Sequence, residues 1–266
     1  MKKITVASFK GGTAKTSSVL HIAAALALFN KKKCLVVDSD PQANLSTGLG
    51  FSPDDLDALP AVLQDEKSIQ EVIKKTNIPG LDIITGNSYL DQIESTVPLV
   101  SDAYSHERLR KALALVDQDY DFCFIDIPPS LGWLCRSAFY AADYSFISTT
   151  PEPYSVLAME RLAKYHETIN RNHSLRVLGV LLSMWDERGA INDALIEEIE
   201  AYFPGKIFDT KVRRDKSVST AVLSGNPVFS VKKGSRAGED YKALAKEIVK
   251  RISKLKDVEL EAVAGV

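Results

Sequence analysis

Near its start, the chain carries a strand pattern that passes through a glycine turn into a helix pattern, and this unit restricts the possible folds more than any other feature. Residues 3–8 are rich in β-formers that alternate in character, residues 9–14 contain two consecutive glycines, and residues 15–30 repeat apolar side chains at helical spacing. In such a unit the backbone N–H groups of the turn and the helix N-terminus point at one place. The sequence therefore predicts an anion-binding site at residues 10–17.

Strand and helix patterns continue to alternate along the chain. Apolar strand patterns occupy residues 34–37, 81–85, 122–125, 144–149 and 175–183. Helical patterns occupy residues 53–76 (with breaks), 107–116, 156–169, 191–202 and 239–254. This order predicts βαβ units, and hence an α/β fold with a doubly wound, mostly parallel sheet flanked by helices. Because no segment has the composition of a linker, we expect one domain over residues 1–256 and a flexible tail over residues 257–266.

Composition excludes several classes of protein. Hydrophobic residues make up 45% of the chain and the net charge is −2, which is typical of a folded chain rather than a disordered one. Apolar runs such as residues 22–29 are shorter than the ~20 residues that a membrane-spanning helix needs. Residues 1–4 lead directly into a strand pattern, so we expect no secretion signal. The three cysteines form no CxxC pair, which favours a reducing, cytoplasmic location.

The glycine turn carries the residue types that bind a polyphosphate. Lys15 would bring a positive charge to the β- and γ-phosphates, and the Thr16 hydroxyl is a suitable ligand for Mg²⁺. The general P-loop pattern GxxxxGK[ST] is not met, because Phe9 and Ala14 occupy its two glycine positions. The predicted phosphate contacts are Lys10, Gly11, Gly12, Thr13, Ala14, Lys15, Thr16 and Ser17. The alternative is a Gly-Gly turn with exposed lysines and no ligand.

Acidic residues follow two of the apolar strands, at the edge where parallel sheets bind ligands. Asp38 and Asp40 come after the pattern at residues 34–37, and Asp126 follows residues 122–125. Phosphoryl transfer mainly needs positioning and charge neutralisation, so one carboxylate near the γ-phosphate, with two lysines and Mg²⁺, is a sufficient set. For Asp38 a second interpretation stays open, in which its carboxylate only caps or tethers the loop.

These segments resemble those of a known family. The sequence KGGTAKT at residues 10–16 is similar to the deviant Walker A motif of the ParA/MinD-type ATPases, which are P-loop NTPases. Residues 38–44, DSDPQAN, resemble the DxDPQxN segment of that family, and residues 126–130 resemble its DxPP segment. The resemblance spans roughly residues 3–250 and implies a Mg²⁺-dependent ATPase with ATP as its nucleotide.

The resemblance also implies a role for each site residue. Lys10 would reach across the interface of an ATP-bound homodimer to the partner's nucleotide, while Lys15 binds the phosphates of its own subunit. Asp40 would position the attacking water and lie close to the metal. Asp126 would support Mg²⁺ through a water, next to Thr16. Lys10, Lys15 and Asp40 thus form the predicted catalytic set.

The C-terminal half resembles the same family more loosely. Residues 179–186, GVLLSMWD, are similar to a family strand end, and residues 212–215, VRRD, align with a segment that frames the adenine. By this alignment Met184, Arg213 and Asp215 are the predicted base contacts. Arg213 and Asp215 replace a proline and an asparagine of the family, and an Asp accepts but does not donate a hydrogen bond.

The charge of the chain is distributed unevenly. Residues 206–236 carry eight basic and two acidic side chains, a net charge of +6, and the remainder carries −8. This asymmetry indicates a face that meets a polyanion, and the alternative is a solvated surface of salt bridges. ParA-like proteins, which the chain resembles, bind double-stranded DNA without sequence preference as ATP dimers. The predicted DNA contacts are Arg214, Lys216, Lys232, Lys233 and Arg236.

The resemblance therefore implies an ATP-dependent dimerising switch that partitions a plasmid or chromosome on the nucleoid. A ParB-like centromere-binding protein would stimulate its slow hydrolysis of ATP. The nucleotide motif begins at residue 10, which leaves no room before it for a helix-turn-helix, so we expect no sequence-specific readout of DNA.

Two other functions stay open. A MinD-like membrane switch would need a basic, amphipathic C-terminal helix. Residues 248–256 have that character, but residues 257–266 become acidic and small and contain no aromatic anchor. This favours a helix packed on the domain, without stable membrane association. The second alternative is a nucleotide-dependent scaffold with negligible turnover, since Ala14 and the base segment depart from the family pattern.

Overall fold

One seven-stranded sheet runs through the computed structural model. Its strands are β1 (Lys2–Ala7), β2 (Cys34–Asp38), β3 (Ile73–Lys75), β4 (Leu81–Ile84), β5 (Phe122–Asp126), β6 (Tyr144–Thr149) and β7 (Arg176–Leu182). They lie in the order β3-β4-β2-β5-β1-β6-β7, and each neighbouring pair is parallel except β3 with β4. The structure describes residues 1–8, 10–95, 104–152 and 155–264, without the side chains of 155–158 and 256–264.

Helices connect the strands and cover both faces of the sheet. They are α1 (Lys15–Asn30), α2 (Asn44–Gly48), α3 (Leu59–Leu63), α4 (Ile69–Val72), α5 (Tyr89–Ser95), α6 (Arg108–Ala114), α7 (Trp133–Ala141), α8 (Ser155–Asn170), α9 (Asn192–Tyr202), α10 (Ser217–Leu223), α11 (Val228–Val231) and α12 (Arg236–Ala264). The predicted doubly wound, mostly parallel sheet flanked by helices is confirmed.

The core consists of two apolar layers, one on each face of the sheet. Every residue of β2 and β5 is buried, because parallel strands covered on both faces have no solvent side. Successive residues alternate between the layers: Val36 belongs to the layer that contains α1 and α12, and Leu35 to the layer that contains α6, α7 and α8. In α12, Ile248 and Ile252 are buried in the α1 layer. The C-terminal helix is thus packed on the domain at these residues.

Some predicted elements differ from the structure. The broken helix predicted over residues 53–76 is two short helices, α3 and α4, followed by the antiparallel strand β3. Helices α2, α5, α7, α10 and α11 lie where no helix is predicted, and α12 extends to Ala264 instead of ending at Lys254. The short helices have too few turns to show an apolar period. Whether residues 257–266 are flexible stays a prediction.

Both outer edges of the sheet are protected. At one edge β3 has only three residues, and Lys74 and Lys75 form ion pairs with Asp55 and Asp82. At the other edge the segment after α9 runs alongside β7, and its residue Phe208 donates a backbone hydrogen bond to the carbonyl of Val180. Neither edge therefore presents a long open row of backbone donors and acceptors.

The described residues contain three free cysteines and no candidate membrane-spanning helix. Cys34, Cys123 and Cys135 are free and buried. Within the described part of the chain, no helix combines the length and the apolarity required to cross a bilayer.

Candidate active site

The turn between β1 and α1 adopts left-handed backbone conformations. Gly12 has a φ of 79°, and Ala14 has φ 60° and ψ 28°. Ala14 is also the N-cap of α1, so the turn leads directly into the helix N-terminus. Phe9 lies outside the described residues. Because the first N–H groups of a helix have no intrahelical acceptor and the helix dipole is positive there, this end is suited to an anion.

A cavity of about 610 Å³ opens above this turn. We call it the phosphate cavity. It is lined by Gly11, Gly12, Thr13, Ala14, Lys15, Thr16, Ser17, Leu20, Asp40, Gln42, Asn44, Thr47, Gly48, Pro129, Val222 and Leu223. Seven of the eight predicted phosphate contacts and the predicted catalytic Asp40 thus face one space. Its volume lies within the range of small-molecule sites, about 300–1,000 Å³.

Asp38 and Asp40 have different surroundings. Asp38 is fully buried, and its carboxylate accepts hydrogen bonds from the backbone N–H (2.8 Å) and the hydroxyl (2.7 Å) of Ser46. Asp38 therefore tethers α2 to the end of β2, and whether tethering is its whole role stays a prediction. Asp40 is 7% exposed and lines the phosphate cavity, and its Oδ1 accepts the backbone N–H of Gln42 at 3.0 Å.

Asp126 has the chemistry of a cation ligand. It ends β5 beside Asp38, and among the described residues neither of its buried carboxylate oxygens makes a full hydrogen bond, although the Thr16 hydroxyl lies nearby. Burial raises the pKa of Asp126, the neighbouring Asp38 raises it further, and Lys15 and the Thr16 hydroxyl oppose this rise. Burial likewise raises the pKa of Asp38. An oxygen-seeking cation would compensate these buried charges, so Asp126, with Thr16 at the start of α1, fits Mg²⁺.

Lys10 is not part of the cavity lining. Its ammonium forms an ion pair with Glu152, in the loop after β6 of the same chain. The Lys10 side chain is 31% exposed. The implied role of Lys10 in a partner's site stays a prediction. Glu152, to which the sequence assigned no role, has Lys10 as its partner here.

The predicted base contacts lie outside the phosphate cavity. The Arg213 guanidinium donates to both carboxylate oxygens of Asp240, at 2.7 and 3.0 Å. Asp215 accepts hydrogen bonds from the backbone and hydroxyl of Ser217 and from the Ser235 hydroxyl, and the Ser217 hydroxyl above all holds the pKa of Asp215 well below its usual range. Both side chains are therefore already engaged within the chain, and their contact with a base stays a prediction.

Met184, the third predicted base contact, follows β7 and has a positive φ of 52°. Its side chain is 39% exposed, which is unusual for a long apolar residue next to the core. It does not line the phosphate cavity. A contact between Met184 and a nucleotide base therefore also stays a prediction.

A second cleft, of about 760 Å³, gathers most of the predicted DNA contacts. We call it the basic cleft. It is lined by Trp185, Asp186, Glu187, Arg188, Arg213, Arg214, Asp215, Lys216, Lys232 and Arg236. Lys233 is exposed but does not line it. Four of the five predicted DNA contacts therefore share one exposed surface, where the Arg236 guanidinium also donates to the carbonyl of Arg214 at 3.3 Å.

Sequence reasoning missed several residues at the phosphate cavity. Val222 and Leu223 reach it from α10, a helix too short to show a clear period. Ser148, on β6, donates a hydrogen bond to the carbonyl of Thr13 inside the turn. β6 also carries Ser145 and Thr149, so the sequence pattern alone does not distinguish Ser148 from its neighbours.

Known proteins resemble this chain over nearly its whole length. A family model described as an AAA domain matches residues 1–177. A ParA family protein of Chlamydia pneumoniae is 51% identical over 249 residues, which cover 94% of this chain and 98% of that protein. The sporulation initiation inhibitor protein Soj of Bacillus subtilis is 34% identical over 250 residues, which cover 93% of this chain and 98% of Soj.

A solved structure resembles the fold as well. It is that of cobyrinic acid a,c-diamide synthase from Mycobacterium smegmatis with a bound ATP analog and magnesium. The two chains share 25% sequence identity with a TM-score of 0.82, and the match covers 95% of this chain and 96% of that one.

Proposed function

The chain belongs to the ParA family. From this premise we propose that this partition ATPase is a switch that dimerises when it binds ATP and that, as a dimer, binds DNA without sequence preference. The observation that carries the proposal is the phosphate cavity, where Lys15, Thr16 and Asp40 line one space. ATP and Mg²⁺ are the cofactors, in keeping with the ATP analog and magnesium of the structural relative.

The chemistry is the transfer of the γ-phosphoryl group of ATP to water, which gives ADP and phosphate. Lys15 and the N-terminus of α1 bind and orient the phosphates. Asp40 accepts a hydrogen bond from the attacking water and aligns it. Thr16 and Asp126 would hold Mg²⁺, which when bound neutralises charge on the β- and γ-phosphate oxygens. Positioning and charge neutralisation are thus divided among the residues that line the phosphate cavity and the buried Asp126.

Dimerisation is the part of the proposal that makes the molecule a switch. Lys10 would leave Glu152 and contact the partner's nucleotide, so bound ATP would add an attraction between the subunits. Leu223, at the mouth of the phosphate cavity, is 89% exposed and would lose water contact at such an interface. Hydrolysis removes the γ-phosphate and would dissolve the interface.

The basic cleft supports the DNA-binding part. Arg214, Lys216, Lys232 and Arg236 line one surface together, so several phosphates of a duplex can be contacted at once. Such contacts are independent of base sequence, and two subunits would double their number. A ParB-like partner that stimulates hydrolysis would then release the protein from the nucleoid.

Gel filtration and DNA binding, each with ADP and with ATP at two salt concentrations, test the whole proposal. We expect a dimer with ATP only, and DNA binding with ATP that weakens as salt rises, because phosphate contacts release counterions. The Lys15→Ala variant, which removes the cavity's lysine, should bind neither nucleotide nor DNA. A chain that stays monomeric with ATP, or that binds DNA equally with ADP, contradicts the switch.

Asp40→Ala separates hydrolysis from binding. Because Asp40 lines the phosphate cavity and is assigned to the water rather than to ATP, we expect the variant to keep the ATP dimer on DNA while phosphate release falls at least about tenfold. Asp54→Ala, which changes an exposed carboxylate, is the matched control and should retain turnover. Normal turnover in Asp40→Ala would remove Asp40 from its role. Absence of turnover in the unmodified protein, with DNA and partner present, would favour the scaffold alternative.

A further inference from the structure

Two buried serines connect the phosphate-binding turn, which follows β1, to the end of the edge strand β7. They are Ser148, on β6, and Ser183, directly after β7. Both are fully buried. The Ser148 hydroxyl donates to the backbone carbonyl of Thr13 at 2.6 Å, and the hydroxyls of Ser148 and Ser183 lie 3.0 Å apart. Three chain segments that are distant in sequence therefore meet at two hydrogen bonds.

The direction of these hydrogen bonds follows from the number of protons. A serine hydroxyl has one proton to donate. Ser148 uses its proton for the Thr13 carbonyl, so in the bond between the two hydroxyls Ser183 is the donor. The Ser183 backbone is itself held, because its N–H donates to the carbonyl of Thr149 at 2.8 Å. The chain of donors thus runs from the end of β7 through β6 to the turn.

The hydrogen bond to the Thr13 carbonyl also orients the N–H of Ala14, because both groups belong to the same peptide unit. In a planar trans peptide the C=O and the following N–H point in opposite directions. Because the Thr13 carbonyl points at Ser148, the N–H of Ala14 points away from Ser148, and Ala14 is one of the residues that line the phosphate cavity. Ser148 therefore sets the direction of a backbone donor at the anion site.

The same contact offsets strain in the turn. Ala14 has a φ of 60°, a conformation that is unfavourable for a residue with a Cβ atom. Such conformations persist where the surrounding structure over-determines them. The hydrogen bond from Ser148 acts on the peptide that immediately precedes Ala14, so it opposes rotation of that peptide out of the strained geometry.

We infer that Ser148 is a positioning residue of the nucleotide site, which holds the Thr13–Ala14 peptide in its anion-binding orientation, and that Ser183 orients the Ser148 hydroxyl. This inference rests on the proposed function, because it concerns the binding of ATP phosphates by the turn. The same two hydrogen bonds connect the turn to Ser183, which directly precedes Met184, a residue with positive φ.

A double-mutant cycle between Ser148→Ala and Ala14→Gly tests the inference, with the affinity for a fluorescent ATP analog as the readout. Loss of one buried hydrogen bond should weaken binding by about tenfold in Ser148→Ala. Because glycine adopts positive φ without steric cost, the same change made in an Ala14→Gly background should weaken binding by only about threefold. A residue that acted only on overall stability would give equal losses in both backgrounds.

Ser145→Ala is the matched control. Ser145 is also fully buried on β6, but its hydroxyl pairs with Nε2 of His166 at 2.9 Å, away from the turn. We expect this variant to unfold at a lower temperature yet to bind the ATP analog like the unmodified protein. Ser183→Ala is the second variant and should weaken binding by roughly threefold, since Ser148 keeps its acceptor but loses its donor.

The inference is overturned if Ser148→Ala binds the analog with unchanged affinity, if its loss is the same in the Ala14→Gly background, or if Ser145→Ala weakens binding as much. Should Ser148→Ala fail to fold, unchanged binding by Ser183→Ala overturns it. Failure of the unmodified protein to bind the analog at all would contradict the proposed function instead, so the two failures are distinguishable.

Discussion

Among the single residues, Ala14 combines an ordinary side chain with an unusual backbone. Its φ of 60° costs about 1–2 kcal/mol for a residue with a Cβ atom, whereas glycine adds about 0.4–1 kcal/mol of chain entropy to the unfolded state. We therefore expect Ala14→Gly to raise the free energy of unfolding by about 1 kcal/mol, measured by urea denaturation. Ala23→Gly, inside α1, should instead lower it by about 1–2 kcal/mol, because it adds chain entropy to the unfolded state and also removes a buried methyl group. If the Ala14→Gly variant were less stable than the unmodified protein, the claim that the Ala14 backbone is strained would be wrong.

At the scale of elements, the packing of α8 on β6 and α7 buries His166. Its ring lies 5.2 Å from that of Phe139, and burial lowers the pKa of His166 to about 4. In the unfolded chain a histidine takes up its proton near pH 6.5, so the unfolded state binds more protons between pH 6.5 and 4. The stability that comes from burying the neutral ring is therefore lost as pH falls through this window.

We expect His166→Gln to lose less stability than the unmodified protein between pH 6.5 and 4.5. The difference should approach about 1.4 kcal/mol per pH unit, and urea midpoints at several pH values measure it. His21, whose pKa burial also lowers to about 4, is unchanged in both proteins, as are the buried carboxylates of Asp38 and Asp126, so the comparison isolates His166. Parallel pH curves would show that His166 does not carry this effect.

At the scale of the whole molecule, charge is segregated, with +6 on residues 206–236 and −8 elsewhere. Changing both Lys232 and Lys233 to Glu should abolish DNA binding at low salt while ATP binding survives, because neither residue lines the phosphate cavity. The same charge reversal at Lys111 and Lys164, which are exposed on α6 and α8, is the matched control and should leave most DNA binding intact. Intact DNA affinity in the first variant would remove the basic cleft from its role.

The sequence predicts the parts of the molecule that depend on local pattern. Strand β1, the glycine turn and α1 are predictable because their periods and their polar residues are contiguous. Strand β3 is not, because three residues at a sheet edge show no period. The sequence pattern also does not predict the contacts of Asp38 with Ser46 and of Asp215 with Ser235, because only tertiary packing brings these partners together. For the same reason no pattern assigns a partner to Ser148.

The protected edges of the sheet have a consequence for how copies of this chain meet. Amyloid-type growth needs an open strand onto which another backbone can hydrogen-bond. Here the short antiparallel β3 ends the sheet on one side, and the segment that contains Phe208 shields β7 on the other. Self-association must therefore proceed through side chains and loops, which can separate again, and concentrated solutions of the protein should resist fibril formation.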